Sequence, residues 1–457
     1  MAESTSHVFV VRGRIEHIAC DAWLLPTDER AELTKSWQRV LDDLDERLGR
    51  SELETLRSGA ALVAELAGSD TRPTPILTVG PMEKLRSPEE LRPAVRQFLE
   101  RGAEVAARKR EAGLGTAEYR PVPLLAMPFF GSRGGGGSLT QGSLLTTLLD
   151  EASRTGRRLG VDVVLVLAHE PVHALAQHVR RTGSDAWAEL GPEVFAEAER
   201  LAVEAIAGRL VPFMGAGVSI TAGAPGWRDL IARLADRASL TPEERASVLR
   251  DSRDARDQAA FLREAFLRTP VNDDDDDGGF ASAIIDEVRV TRYGLAPALL
   301  ASLRAEQAIT LNYDQLFERA ADDAGLPRTV IPGDGQPGSR WLLKLHGTIT
   351  DRSTIVLTRD DYLGFHVERA AYTALVTATM MTRHLLFVGF GLADDHFHEI
   401  VHDVRRTAGE TATGPIGTVL TLHQDPLEMT IWRDDFRFVR AYTGDEDSKW
   451  SARALEI

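Results

Sequence analysis

A single cysteine, Cys20, stands among the 457 residues. One thiol closes no disulfide and leaves no four-cysteine zinc site, so neither device holds this chain together. No run of eighteen apolar residues occurs, which leaves no candidate membrane-spanning helix. The opening M-A-E-S-T-S-H also lacks the basic and then apolar pattern of a secretion signal, so the expectation is a soluble protein of the cytoplasm. Cations are outnumbered: 53 Lys and Arg face 69 Asp and Glu, a formal charge of −16. Such a chain has no excess of cation to displace counterions along a nucleic acid, and non-specific nucleic-acid binding is not expected. Internal repeats and long low-complexity tracts are absent as well.

Apolar residues are plentiful. They make up 43% of the chain, enough for two or three separate cores at this length. The most informative stretch is Leu210 to Trp227, L-V-P-F-M-G-A-G-V-S-I-T-A-G-A-P-G-W. Its apolar run Leu210 to Met214 predicts a buried parallel strand. Gly215 and Gly217 then let the backbone turn sharply and bring its amides to a pyrophosphate. Three further apolar strands with polar ends follow: Ile309 to Asp314 (I-T-L-N-Y-D), Leu342 to Gly347 (L-L-K-L-H-G) and Leu385 to Asp395 (L-L-F-V-G-F-G-L-A-D-D). Open α/β sheets bind ligands at the carboxyl ends of their strands, so the four ends are expected to converge on one crevice.

These segments carry a resemblance to the sirtuin superfamily. Its Gly-Ala-Gly-x-Ser appears as Gly215, Ala216, Gly217, Val218 and Ser219, and its Gly-x-Pro-x-aromatic-Arg as Gly223, Ala224, Pro225, Gly226, Trp227 and Arg228. Thr310, Leu311, Asn312, Tyr313 and Asp314 match its Thr-x-Asn-x-Asp, His346 and Gly347 its His-Gly, and Gly389, Phe390, Gly391 with Asp394 or Asp395 its late glycine-rich segment. Two departures stand out. The deacylating members hold zinc with two cysteine pairs, which one cysteine cannot supply, and they place an aspartate where Gly226 stands. The combination resembles the zinc-free, sirtuin-like NAD hydrolases of prokaryotic anti-phage systems, such as Thoeris-type effectors.

The resemblance implies NAD as substrate and no metal. Breaking the nicotinamide–ribose bond passes through an oxocarbenium-like sugar, so the site must orient water at the anomeric carbon. Asn312 can hold a ribose hydroxyl and a water, and His346 can accept a proton near neutrality. Asp314 is the third candidate catalytic residue, steadying the ribose or fixing the loop. Ser219 and the amides of Ala216 to Val218 are expected on phosphate, Asp394 or Asp395 on the adenosine ribose, and Trp227 and Pro225 beside the nicotinamide. Each has a plainer alternative: Asn312 as cap of a helix Gln315 to Ala324, His346 as a core histidine despite its expected rim position, Trp227 as anchor of a helix Arg228 to Ala238.

About 190 residues precede these motifs. Strands are expected at Val8 to Val11, Trp23 to Leu25, Ile76 to Val79, Pro123 to Met127 and Val161 to Ala168. Helices are expected at Thr34 to Leu48, Pro88 to Lys109, Gln141 to Thr155 and Val172 to Arg181, giving a layered α/β unit with a partly parallel sheet. It is similar to a macrodomain, the ADP-ribose-binding module, on Gly13, Ile15, Asp21 and Ala22. Pro26-Thr27-Asp28 replaces that family's Asn-Ala-Asn. The glycine loop 134–137 is either a diphosphate cradle or a surface loop. A turn-rich stretch from Arg180 to Gly191, then an amphipathic helix Glu193 to Arg209, places the boundary near residue 190. A helical stretch Asp229 to Arg268 and the aspartate loop Val271 to Gly279 resemble an insert in the place of the zinc module, able to gate the pocket.

The expected protein is α/β throughout: a macro-like unit over 1–190 that regulates or senses an ADP-ribose-like ligand, and a sirtuin-like Rossmann-type parallel sheet flanked by helices over 191–457 that turns over NAD. The expected reaction gives nicotinamide and ADP-ribose, depleting NAD in abortive infection. ADP-ribosyl transfer and a non-catalytic NAD- or ADP-ribose-sensing scaffold are the alternatives. Such an enzyme must stay quiet until needed, so a homo-oligomer or a defence-system partner protein is expected.

Overall fold

Among the described residues, strands and helices form two sheets flanked by helices. The computed structural model describes residues 6–28, 30–33, 35–38, 48–67, 72–80, 85–131, 139–182, 187, 191–269, 277–333, 338–390, 395–408, 415–420, 426–439 and 448–457. The first sheet has six strands: β1 (Val8–Arg12), β2 (Ala22–Thr27), β3 (Val63–Glu65), β4 (Thr74–Val79), β5 (Leu124–Pro128) and β6 (Asp162–Leu167). Their order is β1-β6-β5-β2-β4-β3, parallel except for β3, which runs antiparallel to β4 at the edge. The second sheet has seven: β7 (Leu210–Met214), β8 (Gln307–Thr310), β9 (Thr329–Ile331), β10 (Trp341–Lys344), β11 (His384–Val388), β12 (Gly417–Leu420) and β13 (Phe436–Val439). All are parallel, in the order β13-β12-β11-β7-β8-β10-β9.

Apolar continuity explains which strands lie inside. All five residues of β7 and all six of β4 and β6 are buried, the pattern of strands covered by helices on both faces. β7 sits where the strand order changes direction, with β8 on one side and β11 on the other, so a crevice opens at its carboxyl end.

The expected strands are all found, but β2 runs to six residues where three are expected, and β8, β10 and β11 end at Thr310, Lys344 and Val388, before the polar residues that follow them. Short β3 and the helix Arg50–Arg57 carry too little pattern to be read from sequence. Of the helix expected at Thr34 to Leu48, Lys35–Gln38 is helical, Leu48 is not, Thr34 and residues 39–47 lie outside the described residues, and so does the glycine loop 134–137. The stretch Asp229 to Arg268 divides into three helices, Trp227–Arg237, Pro242–Val248 and Ala255–Arg268. The breaks have local causes: Thr241 caps the second in a capping box with Glu244 and Pro242 at its first turn, and the Asp254 carboxylate accepts from the Arg256 amide to start the third. No helix among the described residues is long and apolar enough to cross a membrane.

The two sheets share a core. One apolar cluster joins Phe9, Cys20, Trp23 and Leu77 around the first sheet to Met214, Ala222, Leu295 and Leu316 around the second. Cys20 lies inside it, where burial and the neighbouring Asp21 push its thiol up to about 12, so it is an inert packing residue. Backbone pairing adds to this contact, with Ala19 N donating to Tyr293 O at 2.9 Å and Tyr293 N to His17 O at 3.0 Å. A buried charge network adds more. Arg120 donates to Glu456 Oε2 at 2.5 Å and to Asp162 Oδ2 at 3.2 Å, and Arg453 pairs with both Asp162 oxygens at 2.7 and 2.8 Å. All four residues are at most 5% exposed.

Removing one member strands the others. Arg120→Met leaves Glu456 short of its cation in a dry site, and a loss of about 3–5 kcal/mol of unfolding free energy is expected in chemical denaturation. A pH dependence follows from two histidines. Burial, reinforced by Arg180, brings His7 down to about 3, and burial with Arg200 brings His384 to about 4, so both stay neutral in the fold. Unfolded histidine takes its proton near 6.5, so the unfolded chain binds two extra protons as pH falls from there toward 4. The thermal midpoint is therefore expected to drop across that window, and less steeply in His7→Gln.

Candidate active site

The end of β7 turns on Gly215 into two short 3-10 turns, Ala216–Val218 and Ile220–Ala222, and the end of β11 turns on Gly389 at φ 61°. The two turns are pressed backbone to backbone. Gly215 N donates to Val388 O at 3.0 Å and Gly217 N to Gly389 O at 2.9 Å. A Cβ on Gly215 would lie 2.5 Å from Gly389 O, and one on Gly389 would lie 2.6 Å from Val218 N. Glycine is required here for the contact between turns as much as for any ligand.

Beside them opens a cavity of about 490 Å³, within the usual range for a small-molecule site. Gly215, Ala216, Ser219, Pro225, Trp227, Asn312, Asp314, His346 and Gly389 all line it, so the structure brings most of the candidate residues together from four strand ends. Gly217 and Thr310 do not line it. Gly217 is held in the turn, and the Thr310 hydroxyl donates to Met214 O at 3.2 Å while accepting from Asn312 N at 3.0 Å. Gly391 and Asp394 lie outside the described residues, as does the side chain of Asp395, whose backbone opens the helix Asp395–Ala408.

Polar side chains in the cavity wall brace one another. Asn312 Nδ2 donates to Gly215 O at 3.0 Å and to Ser219 Oγ at 3.2 Å, and Ser219 Oγ donates to Asp314 Oδ2 at 2.8 Å. A carbonyl accepts only, so the Gly215 contact orients the Asn312 amide, and its Oδ1 has no partner among the described residues. Asn312 does not cap the helix that follows: Leu316–Asp323 begins after Gln315, and Asp314 Oδ1 accepts from Leu316 N at 2.9 Å. Asp314 therefore has one oxygen on the helix start and the other on Ser219. Ser219 is 2% exposed with its hydroxyl engaged in both directions. Of the three amides expected on phosphate, Gly217's and Val218's already donate to Gly389 and Gly215 carbonyls, and that of Ala216 has no partner among the described residues.

His346 is not at the rim. It is 4% exposed, set in the cavity wall with the rings of Tyr362 and Phe365 edge-on at 5.4 and 6.4 Å. Gly347 at φ 93° makes the turn behind it, where a Cβ would meet Thr354 O at 2.0 Å. Burial follows because the loop after β10 folds back under the helix Arg359–Glu368.

Residues unseen in the sequence motifs complete the wall. Asp254, Arg256 and Tyr362 line the cavity, the first two from the insert. Arg256 donates through Nε to Asp254 Oδ1 at 2.9 Å and lies 5.4 Å over the Tyr362 ring. Hydrogen bonds from Arg256 hold the Asp254 carboxyl well below the usual carboxylate range. The only trace in the sequence is the D-A-R start of a helix, which signals a cap and says nothing of a cavity. Among the described residues no cluster of His, Cys, Asp and Glu is suited to a metal ion.

Residues 306–437, which run from β8 into the start of β13, match the family described as SIR2-like domain. The chain is 23% identical over 200 residues to NAD(+) hydrolase ThsA of Acinetobacter baumannii (strain 532279), covering 42% of this chain and 38% of that protein. It is 26% identical over 211 residues to NAD(+) hydrolase ThsA of Enterococcus faecium, covering 43% and 40%, and 26% identical over 210 residues to Defense-associated sirtuin 2 of Bacillus subtilis, covering 44% and 19%. The chain thus spans about two fifths of the ThsA relatives. Among solved structures, the Trypanosoma brucei macrodomain in complex with ADP aligns at 15% identity and TM-score 0.27 over 38% of this chain and 68% of that one. The Oceanobacillus iheyensis macrodomain with MES aligns at 14% and 0.28 over 40% and 94%.

The interlocked turns after β7 and β11 give a direct test. Gly389→Ala adds both a left-handed strain of about 1–3 kcal/mol and a backbone clash, so its thermal midpoint should fall well below that of Gly226→Ala, where a Cβ meets nothing within 4 Å.

Proposed function

We propose that this protein hydrolyses NAD at the nicotinamide–ribose bond, giving nicotinamide and ADP-ribose, and that it does so in the cytoplasm as an anti-phage effector. The observation that carries the reading is the Asn312 amide, held through Nδ2 by Gly215 and Ser219, with no partner for Oδ1 among the described residues, in the wall of a cavity that His346 also lines. An amide oxygen held this way can accept from a ribose hydroxyl or from an attacking water. The bond from anomeric carbon to ring nitrogen breaks with its electron pair leaving on nicotinamide. Water oxygen bonds to the carbon, and its proton passes to His346. Asp314 and Ser219 hold Asn312 in place, and the Ala216 amide is the backbone donor open to phosphate. The names of the ThsA relatives support the same reaction.

In this proposal residues 1–190 form a macro-like unit that regulates a catalytic unit over 191–457, sensing an ADP-ribose-like ligand, and activity is released by self-association or a defence-system partner. No metal takes part.

Nicotinamide release from NAD by purified protein, with ADP-ribose resolved by liquid chromatography, tests the reaction. Asn312→Ala and His346→Ala are each expected to lower kcat by about 10²–10⁴-fold. Undiminished turnover in both variants would remove these residues from the mechanism, and nicotinamide without matching ADP-ribose would replace hydrolysis by transfer or cyclisation.

A further inference from the structure

Lys344 ends β10 two residues before His346 and is completely buried. An ammonium has three protons, and here three acceptors take them: Tyr313 O at 3.3 Å, Asp314 O, and Glu318 Oε1 at 2.7 Å. Two of these are main-chain carbonyls of the turn that carries Asn312 and Asp314, and the third stands on the helix Leu316–Asp323 that follows it. The side chain thus ties the strand that presents His346 to the turn that presents Asn312.

We infer that Lys344 is a positioning residue, whose ammonium clamps the 313–314 turn and so sets the placement of Asn312 against His346. The inference rests on the hydrolase reading for what that placement does. A buried ion pair contributes little net stability over a well-packed apolar pair, so folding alone gives little reason for a lysine here. The chemistry gives one: Tyr313 O also accepts from Ile349 N at 3.0 Å, but Asp314 O has no other donor among the described residues, and the Lys344 ammonium reaching across from β10 supplies it while bridging to Tyr313 O. Burial pushes the Glu318 carboxyl up while Lys344 opposes it, so the pair is mutually dependent. Reacting groups tolerate little error in placement, since a shift of roughly 1 Å can lower a rate about 10²-fold.

The test uses the full chain as Lys344→Met and as the double variant Lys344→Met with Glu318→Gln, which removes both charges. The single variant is expected to lose thermal stability. The double variant is expected to regain most of it yet release nicotinamide with kcat about 10²-fold below wild type and KM for NAD within about threefold, the split expected when placement and not binding is lost. Wild-type kcat in the double variant would overturn the inference. Absence of nicotinamide release by wild type would instead sink the hydrolase reading. Crystal structures of wild type and Lys344→Met then decide the inference without turnover: a turn displaced relative to His346 upholds it, and an unmoved turn overturns it.

Discussion

The backbone contact between the turns after β7 and β11 is the constraint on which the site depends. Two glycines meet there at a separation no side chain permits, with Gly215 N donating to Val388 O and Gly217 N to Gly389 O across the contact. That contact brings adjacent strand ends into register and leaves the crevice to one side, against β8 and β10. It also alters what the glycines mean. A glycine-rich turn is readily read as a phosphate cradle, yet here most of its donors serve the fold, and among the described residues only the amide of Ala216 has no partner.

Around this contact the site is built as a sequence of braces. Gly215 O and Ser219 fix Asn312, Asp314 fixes Ser219, and the helix start fixes Asp314. Each polar group is satisfied by the next, which keeps a buried polar network rigid and not merely tolerated. Preorganisation of this kind places a reacting group without reordering during the reaction. The insert contributes the opposite wall, where Asp254, Arg256 and Tyr362 put a charge pair and a ring in the cavity lining.

The first sheet is not a loosely attached neighbour. A common apolar cluster and the charges of Arg120, Asp162, Arg453 and Glu456 weld it to the second. Glu456 also accepts from Thr221 at 2.6 Å, and Thr221 lies two residues beyond Ser219. Asp162 of the first sheet is thereby joined to the glycine turn through three side chains, Arg120, Glu456 and Thr221.

Much of this was legible in the residues themselves. Apolar runs such as L-V-P-F-M and D-V-V-L-V-L determine buried parallel strands, and the ordered polar strand ends at Asn312 and His346 determine that one crevice collects them, because strand chemistry is local and the sheet rule is general. Which groups remain open in that crevice was decided by tertiary structure alone. Ser219 is engaged on both sides, His346 is buried under Tyr362, Lys344 reaches across to a turn thirty residues away in the chain, and Arg256 arrives from an insert with no motif. Those facts depend on partners distant in sequence, and a pattern of residue types along one chain carries no record of which hydrogen bonds its neighbours in space have already taken.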